Sequence, residues 1–342
     1  MRRRIEADRT PSGVRPAAKR RCAAIRHGAS VALLQNRSFV YSSATSMRTR
    51  FLSILQALLV TVLWSTSFVI IKKGLPTIPP LTFAGLRYSL AALCLLPFAF
   101  LPSRRLEIRN LDKGQWRDLI LLGLVFYVLT QGTQFLGLSL LPSATVSLML
   151  NFTPLVVVAL GAAFLSERPT GRQIAGIALF LTGALAYFLP LTGLGAQLIG
   201  LAVMTLGVLS NAASSVFGRK VNRAKDLSPF TITLVSMSFG SIVLLSIGVA
   251  IEGVPRIPPA SWLSLVWLSV VNTAFAFTLW NRTLRHLTAM ESSIINGTML
   301  IQIGILAWIF LDEGLSPANV GGMILASAGA ILVQLRTADN RD

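Results

Sequence analysis

A single arginine interrupts the apolar run "LTFAGLRYSLAALCLLPFAF", which is long enough to cross a bilayer. Arg87 lies about two helical turns into this run. A charged side chain inside a membrane span is costly and is a functional candidate for that reason. Its guanidinium group can bind a carboxylate through two parallel hydrogen bonds. Alternatively, the side chain extends to the membrane interface or binds backbone carbonyls, so the sequence leaves both interpretations open.

A later apolar run carries Tyr127, Gln131 and Gln134 at i, i+4 and i+7, which places them on one face of a helix. A third run carries Thr273, Phe277 and Trp280 at the same spacing. One mostly polar face and one mostly aromatic face together suit an amphipathic organic solute. Hydrogen bonding between neighbouring helices is the alternative use of such polar residues.

Other polar residues recur in the apolar runs. Ser143, Ser147 and Asn151 share a helical face, and Pro154 predicts a kink one turn later. Ser292 and Asn296 share a face in the same way. Trp64 either lines a cavity or faces lipid. We therefore predict a substrate pathway lined by Trp64, Arg87, Tyr127, Gln131, Gln134, Ser147, Asn151, Asn211, Asn272, Phe277, Trp280 and Asn296.

The composition indicates what kind of elements must hold these residues. The 342-residue chain is 53% hydrophobic and only 13% charged, with a mean hydropathy of +0.67. A soluble domain carries about 25% charged residues, so these values indicate a polytopic membrane protein. The net charge of +18 is spread over an N-terminal tail and short loops, which argues against a nucleic-acid partner. Two cysteines and two histidines predict neither a disulfide framework nor a metal site, and no cofactor is expected.

Hydropathy predicts an all-α integral membrane protein with ten transmembrane helices. The lipid bilayer is thus its first partner. Most loop arginines and lysines fall on one side if the N-terminus is inside, whereas the other side holds Lys72, Lys73 and Arg256. The positive-inside rule therefore predicts a multi-pass inner or plasma membrane protein with both termini cytoplasmic. The predicted spans are approximately 53–73, 81–101, 118–138, 143–165, 172–190, 197–217, 230–251, 261–281, 288–311 and 317–335.

Residues 1–46 are basic and lack apolar periodicity. They are interpreted as a disordered cytoplasmic tail or as a targeting segment. A mis-assigned start is the third alternative, with translation beginning at Met47 just before the first apolar run.

The chain also repeats itself at an offset of 146 residues, which pairs Trp116 with Trp262 and Glu167 with Glu313. Each copy contains five spans, an odd number, so the second copy enters the membrane from the opposite side. This arrangement predicts two inverted five-helix repeats, residues 51–196 and 197–336. In such repeats, a substrate site lies near the midplane between the halves.

The most similar segments of the two copies are "FLSERPTGRQIAG" and "FLDEGLSPANVGG". Thr170 and Ser316 are predicted helix N-caps. Glu167 and Glu313 are expected to bind the N-terminus of the following helix and so to join an antiparallel helix pair; proton carriage is the alternative. Small residues recur in the last helix of each copy and predict close packing in a scaffold or a homodimer: Gly176, Gly183, Gly322 and Gly329.

The chain resembles the EamA type of the drug/metabolite transporter superfamily in its ten spans, its two repeats, the segment "LWSTSFVIIKKGLP" and the doubled "FL(S/D)E" hairpin. The resemblance implies export of small organic metabolites (amino acids or related compounds) or drugs by alternating access, driven by an ion or proton gradient. An importer or exchanger, or a non-transport membrane protein, is the alternative. No P-loop is present, and clustered catalytic residues within the spans are absent, so we expect no enzyme.

Overall fold

The computed structural model describes residues 51–164, 170–189, 194–223, 227–283, 287 and 289–334. Within these ranges almost every residue is helical and none forms a strand. Ten helical stretches are long and apolar enough to cross a membrane, so the predicted fold class is confirmed. The predicted N-terminal tail of residues 1–46 and the carboxylate of Glu167 lie outside the described residues.

Six spans are single continuous helices. They are α1 (Phe51–Gly74), α2 (Pro80–Ala99), α8 (Gly171–Phe188), α9 (Leu194–Arg223), α10 (Pro229–Glu252) and α15 (Pro317–Gln334). A short amphipathic helix, α3 (Pro102–Arg109), follows α2.

The other four spans are interrupted. The third and eighth spans each contain a π-helical segment, which we call π1 (Leu124–Gln131) and π2 (Val270–Phe275). The starts of π1 and π2 are separated by the same 146 residues as the sequence repeat. The fourth and ninth spans are each broken into two helices. These four spans comprise α4 (Lys113–Gly123), α5 (Gly132–Leu140), α6 (Ser143–Leu150), α7 (Thr153–Phe164), α11 (Pro259–Ser269), α12 (Ala276–Thr283), α13 (Ala289–Gly297) and α14 (Met299–Leu311).

Helices α2 and α10 form an antiparallel pair that is joined by a carboxylate at each end. Glu252, the last residue of α10, accepts hydrogen bonds at the start of α2 from Leu81 N (3.0 Å), Thr82 N (2.8 Å) and Thr82 Oγ1 (2.8 Å). These are the free N–H groups that every helix start presents, and the negative charge also meets the positive end of the helix dipole.

At the opposite end of the pair, Glu107 of α3 accepts hydrogen bonds from the backbone N–H of Ser228 and from its Oγ (2.9 Å). Ser228 is the N-cap of α10. Burial alone would raise the pKa of Glu107, but the hydrogen bonds from Ser228, Thr231 and Arg104 favour the charged form, and the net effect is a lowered pKa. The two repeats thus exchange carboxylates, each binding the helix start of the other.

Helices α8 and α15 form the second close pair. Gly176, Gly183, Gly322 and Gly329 all lie in this contact, and a Cβ added to any of them would meet backbone atoms of the opposite helix at 3.0 Å or less. Backbones can approach this closely only where side chains are absent. The predicted packing role of these glycines is therefore satisfied between two helices of one chain, and they provide no argument for a homodimer.

Candidate functional site

Arg87 lies inside the protein, on the face of α2 that meets the eighth span, and is 4% exposed. Its Nε donates a hydrogen bond to Thr273 Oγ1 (3.0 Å), and its guanidinium carbon lies 5.3 Å from the centre of the Tyr88 ring. No ion pair joins Arg87 to a carboxylate among the residues that the structure describes. The side chain therefore stays within the helix bundle rather than extending to the membrane interface. A buried cation without a counter-charge attracts an anion strongly.

The residue next to Arg87 connects it to the third span. Tyr88 donates a hydrogen bond from its hydroxyl to Gln131 Oε1 (2.7 Å), and its ring lies 5.2 Å from that of Tyr127. Both Tyr127 and Gln131 are buried. Tyr127 and Gln131 thus both contact Tyr88. Sequence reasoning did not identify Tyr88, although it directly follows Arg87.

The π-helical geometry changes the expected face of the third span. Tyr127, Gln131 and Gln134 were placed on one face by assuming 3.6 residues per turn, whereas residues 124–131 are wound more loosely. Gln134 lies beyond π1 in α5 and is half-buried. The assumption of one continuous α-helix was therefore wrong here. Segments of π-helix occur frequently at functional sites, and their extra residue cannot be recognised from hydropathy alone.

The second π segment faces α1 and α2. Thr273, which accepts the hydrogen bond from Arg87, donates its own to Leu268 O (2.8 Å). Asn272 is fully buried, and its Nδ2 donates to Leu63 O (2.5 Å) and Ser67 Oγ (2.8 Å) of α1. Its Oδ1 is buried and has no hydrogen-bond partner among the residues that the structure describes. Buried acceptors are rarely unpaired in native proteins, so this atom is a candidate contact for a polar group of a solute.

Three aromatic side chains pack together between α1 and the eighth span. Trp64 packs against Phe277 and Trp280, with ring centres 5.3 Å apart in both pairs. The indole Nε1 of Trp64 is buried and, in the described part of the chain, has no hydrogen-bond partner. The contact between α1 and the eighth span therefore contains one unpaired donor and one unpaired acceptor.

Gln302 of α14 joins α1 to the ninth span, and sequence reasoning did not identify it. Its Oε1 accepts from Ser65 Oγ (2.9 Å), and its Nε2 donates to Thr298 Oγ1 (2.8 Å). Thr298 lies at the break between α13 and α14. The signal in the sequence was the amide side chain of Gln302 within the apolar run "MLIQIGIL".

The other predicted pathway residues lie outside these contacts. Ser147 is buried in α6, and Asn151 at the α6–α7 break donates to Ser147 O (2.9 Å). Asn211 of α9 donates to Thr153 Oγ1 of α7 (3.1 Å), which is a helix–helix contact. Asn296 is exposed on α13. The structure thus shows two sets of contacts. One connects Arg87, Thr273, Tyr88, Gln131 and Tyr127, and the other connects Trp64, Phe277 and Trp280. We call these two sets, together with Asn272, the central cluster.

Glu313, the hairpin glutamate within the described residues, does not bind the helix start that the sequence predicted. Glu313 does bind a helix N-terminus, but that of α6 rather than of the following α15, through Ser143 N (2.8 Å) and Ser143 Oγ (3.0 Å). Asp312 ends α14 in a left-handed conformation (φ 54°), which reverses the chain direction before α15 begins. The start of α15 is instead bound by its own residues, because Ser316 and Asn319 hydrogen-bond reciprocally. Thr170 and Gln173 do the same for α8.

The geometry describes an integral membrane protein with a buried polar and aromatic cluster between two repeats. Comparison with known proteins gives the class. The EamA-like transporter family model matches residues 51–189 and 198–335. Because these two segments span most of the chain, the protein belongs to the EamA-like transporter family.

The individual relatives share less than 30% sequence identity with this chain. The chain is 28% identical to a probable amino-acid metabolite efflux pump of Escherichia coli (strain K12), covering 80% of this chain and 91% of that one. It is 26% identical to an S-adenosylmethionine/S-adenosylhomocysteine transporter of Chlamydia trachomatis serovar L2, covering 77% and 84%. A solved crystal structure shares the fold with a TM-score of 0.60 and 18% identity, covering 82% of this chain and 96% of that one.

Proposed function

We propose that this transporter exports small organic metabolites that carry a carboxylate, such as amino acids or related compounds, by alternating access driven by an ion or proton gradient. The single observation that carries the proposal is Arg87, buried and unopposed by any carboxylate among the described residues. A carboxylate of the solute would supply the missing counter-charge.

The rest of the central cluster supports an amphipathic solute. Asn272 Oδ1 offers an acceptor to an ammonium or hydroxyl group, and Trp64 Nε1 offers a donor. The rings of Trp64, Phe277 and Trp280 provide an apolar surface that also attracts a cation. The name of the Escherichia coli relative agrees with an amino-acid-like solute and with efflux.

Import or exchange is the second candidate. The Chlamydia trachomatis relative is named as a transporter of two compounds, S-adenosylmethionine and S-adenosylhomocysteine, without a stated direction. The loop charges support an orientation with both termini in the cytoplasm of a plasma-membrane protein. This orientation would place Glu252 and Glu313 at the outer end and Glu107 at the inner end.

The direct test is transport by protein reconstituted into liposomes, with Arg87→Gln compared with Arg256→Gln. Arg256 lies exposed in the loop between α10 and α11, so its variant removes the same charge away from the cluster. A hydrogen bond to a charged group is worth about 1.5–3 kcal/mol, so the apparent KM for a transported amino acid should rise about 10- to 150-fold in Arg87→Gln alone.

The amide of the same amino acid is the chemical control. It lacks the carboxylate, so wild type should prefer the acid and Arg87→Gln should not distinguish the two. If Arg87→Gln keeps the wild-type preference, Arg87 does not bind the carboxylate. Efflux from preloaded cells that increases on overproduction supports export, whereas stimulation by a solute on the opposite side supports exchange.

A further inference from the structure

A second candidate site lies at the end of α2, and Arg87 is not among its lining residues. A groove of about 430 Å³ opens between the end of α2, α3, the start of α4 and α10. Its walls are mainly apolar and aromatic, and include Leu96, Phe100, Ile108, Trp116 and Phe239. Leu96 and Phe100 are exposed, so the groove is continuous with a face of the helices that an acyl chain of the bilayer would reach.

Two arginines line the same groove. Arg105 and Arg109 are four residues apart on α3, so they project from one face of this helix. Both are exposed, and neither forms an ion pair among the described residues. The acidic residue of α3 is already engaged, since Glu107 binds Ser228 and pairs with Arg104 at 3.4 Å. The positive charge of Arg105 and Arg109 is therefore available to a ligand.

We propose that this groove binds an anionic phospholipid, with the phosphate held by Arg105 and Arg109 and one acyl chain lying along the apolar wall. The charge of the two arginines selects the lipid class, because a zwitterionic headgroup would bring its own cation to them. The apolar wall selects a lipid over a free phosphate, which would leave that surface uncovered. Basic pockets between membrane helices bind phosphorylated headgroups in this way.

The position of the groove fits this occupant. Helix α2 ends at Ala99 and α3 begins at Pro102, so the groove lies where the chain leaves its second membrane span. The predicted orientation makes this the cytoplasmic surface, whose leaflet carries anionic lipid. No lining residue belongs to the central cluster, so the lipid site stands or falls independently of the proposed transport function.

The experiment titrates a short-chain phosphatidylglycerol into purified protein in an uncharged detergent and counts bound lipid by native mass spectrometry. Short-chain phosphatidylcholine is the neutral comparison. Wild type is compared with the double variant Arg105→Gln/Arg109→Gln and with Lys220→Gln/Arg256→Gln, which removes the same charge from exposed positions elsewhere. Each arginine near a lipid phosphate is worth about fivefold in affinity, so the first double variant should bind phosphatidylglycerol about 30-fold more weakly.

A filling variant tests the apolar wall without changing charge. Ala99→Trp places an indole in the groove and should also displace the lipid, and Ser238→Leu does the same from the α10 side if the first variant does not fold. Equal losses in both double variants would overturn the proposal in favour of general surface charge. Displacement of the lipid by glycerol phosphate at similar concentration would overturn it in favour of a soluble anion site. Equal binding of the two lipids would also overturn it.

Discussion

Gly322 makes the close contact between α8 and α15 directly testable. A Cβ built on Gly322 would lie 2.5 Å from Tyr187 N and 2.6 Å from Gly183 O. Both atoms belong to the backbone of α8, so no side-chain rotation can relieve the overlap. Gly322→Ala therefore forces the two helices apart along part of their contact.

The preceding residue offers a matched control. Gly321 lies on the exposed face of the same helix, and a Cβ there would have nothing within 4 Å. Replacing a helical glycine by alanine gains about 0.8–1.0 kcal/mol from helix propensity at either position. Overpacking costs about 1–3 kcal/mol and applies to Gly322 alone. The difference between the two variants isolates the overlap, and we expect Gly322→Ala to be less stable than Gly321→Ala by about 1–3 kcal/mol.

The measurement is the free energy of unfolding of each variant in mild detergent under identical conditions. Gly183→Ala should repeat the loss from the other helix, because its Cβ would lie 2.4 Å from Ala326 N. The double variant should lose less than the two single variants together, since helices already forced apart accommodate a second methyl group. Equal stability of Gly321→Ala and Gly322→Ala would refute the close approach of α8 and α15.

Three further predictions concern the carboxylates and the central cluster. Glu252→Gln leaves one N–H at the start of α2 facing an amide NH₂, so the free energy of unfolding should fall by about 2–3 kcal/mol. Asp112→Asn, at an exposed N-cap, is the control and should change the free energy of unfolding little. The pKa of Glu107 is lowered in the folded state, so its contribution to stability is complete above its ordinary pKa of 4.5 and is lost as pH falls through the folded-state pKa. The unfolding temperatures of wild type and Glu107→Gln should therefore converge at acidic pH. Trp64→Phe removes an unpaired donor but keeps a ring, so transport affinity should fall while the unfolding temperature does not; equal losses of both would contradict a ligand role.

The spans were predictable because each is long, apolar and bounded by charge or proline, as α2 and α10 illustrate with Pro80 and Pro229 at their starts. The sequence left Arg87 open between the interior and the membrane interface, and the structure places it in the interior. What the sequence could not supply was the winding of π1 and π2, because hydropathy does not distinguish a π turn from an α turn.

Long-range partners were equally inaccessible. Glu313 was assigned to the nearest helix start in sequence, yet the structure brings it to Ser143, since the choice among free helix N-termini depends on packing of the whole bundle. Tyr88 and Gln302 were overlooked for a related reason. A single polar residue in an apolar run has no recognisable pattern until its partner on another span is known.

The two repeats place chemically different residues at equivalent positions. Arg87 lies seven residues after Pro80, and Ser236 lies seven residues after Pro229, so they occupy corresponding positions in α2 and α10. Helix α2 packs against π2, and α10 packs against π1. Arg87 hydrogen-bonds Thr273 of π2, whereas Ser236 donates to Ile232 O of its own helix (2.6 Å). The equivalent helix contacts thus contain a cation in one copy and a neutral hydroxyl in the other.

This difference has a consequence for how a solute would be held. A symmetric pair of repeats can exchange two conformations that face opposite sides of the membrane. A fully symmetric site, however, would bind a carboxylate equally well in two opposite directions. If the proposed carboxylate-bearing solute binds here, the positive charge on α2 and the amide acceptor on π2 would favour one direction, with the carboxylate toward Arg87 and the cationic or hydroxyl group toward Asn272. The repeat would therefore provide the movement, and the residues at which the two copies diverge would provide the selectivity.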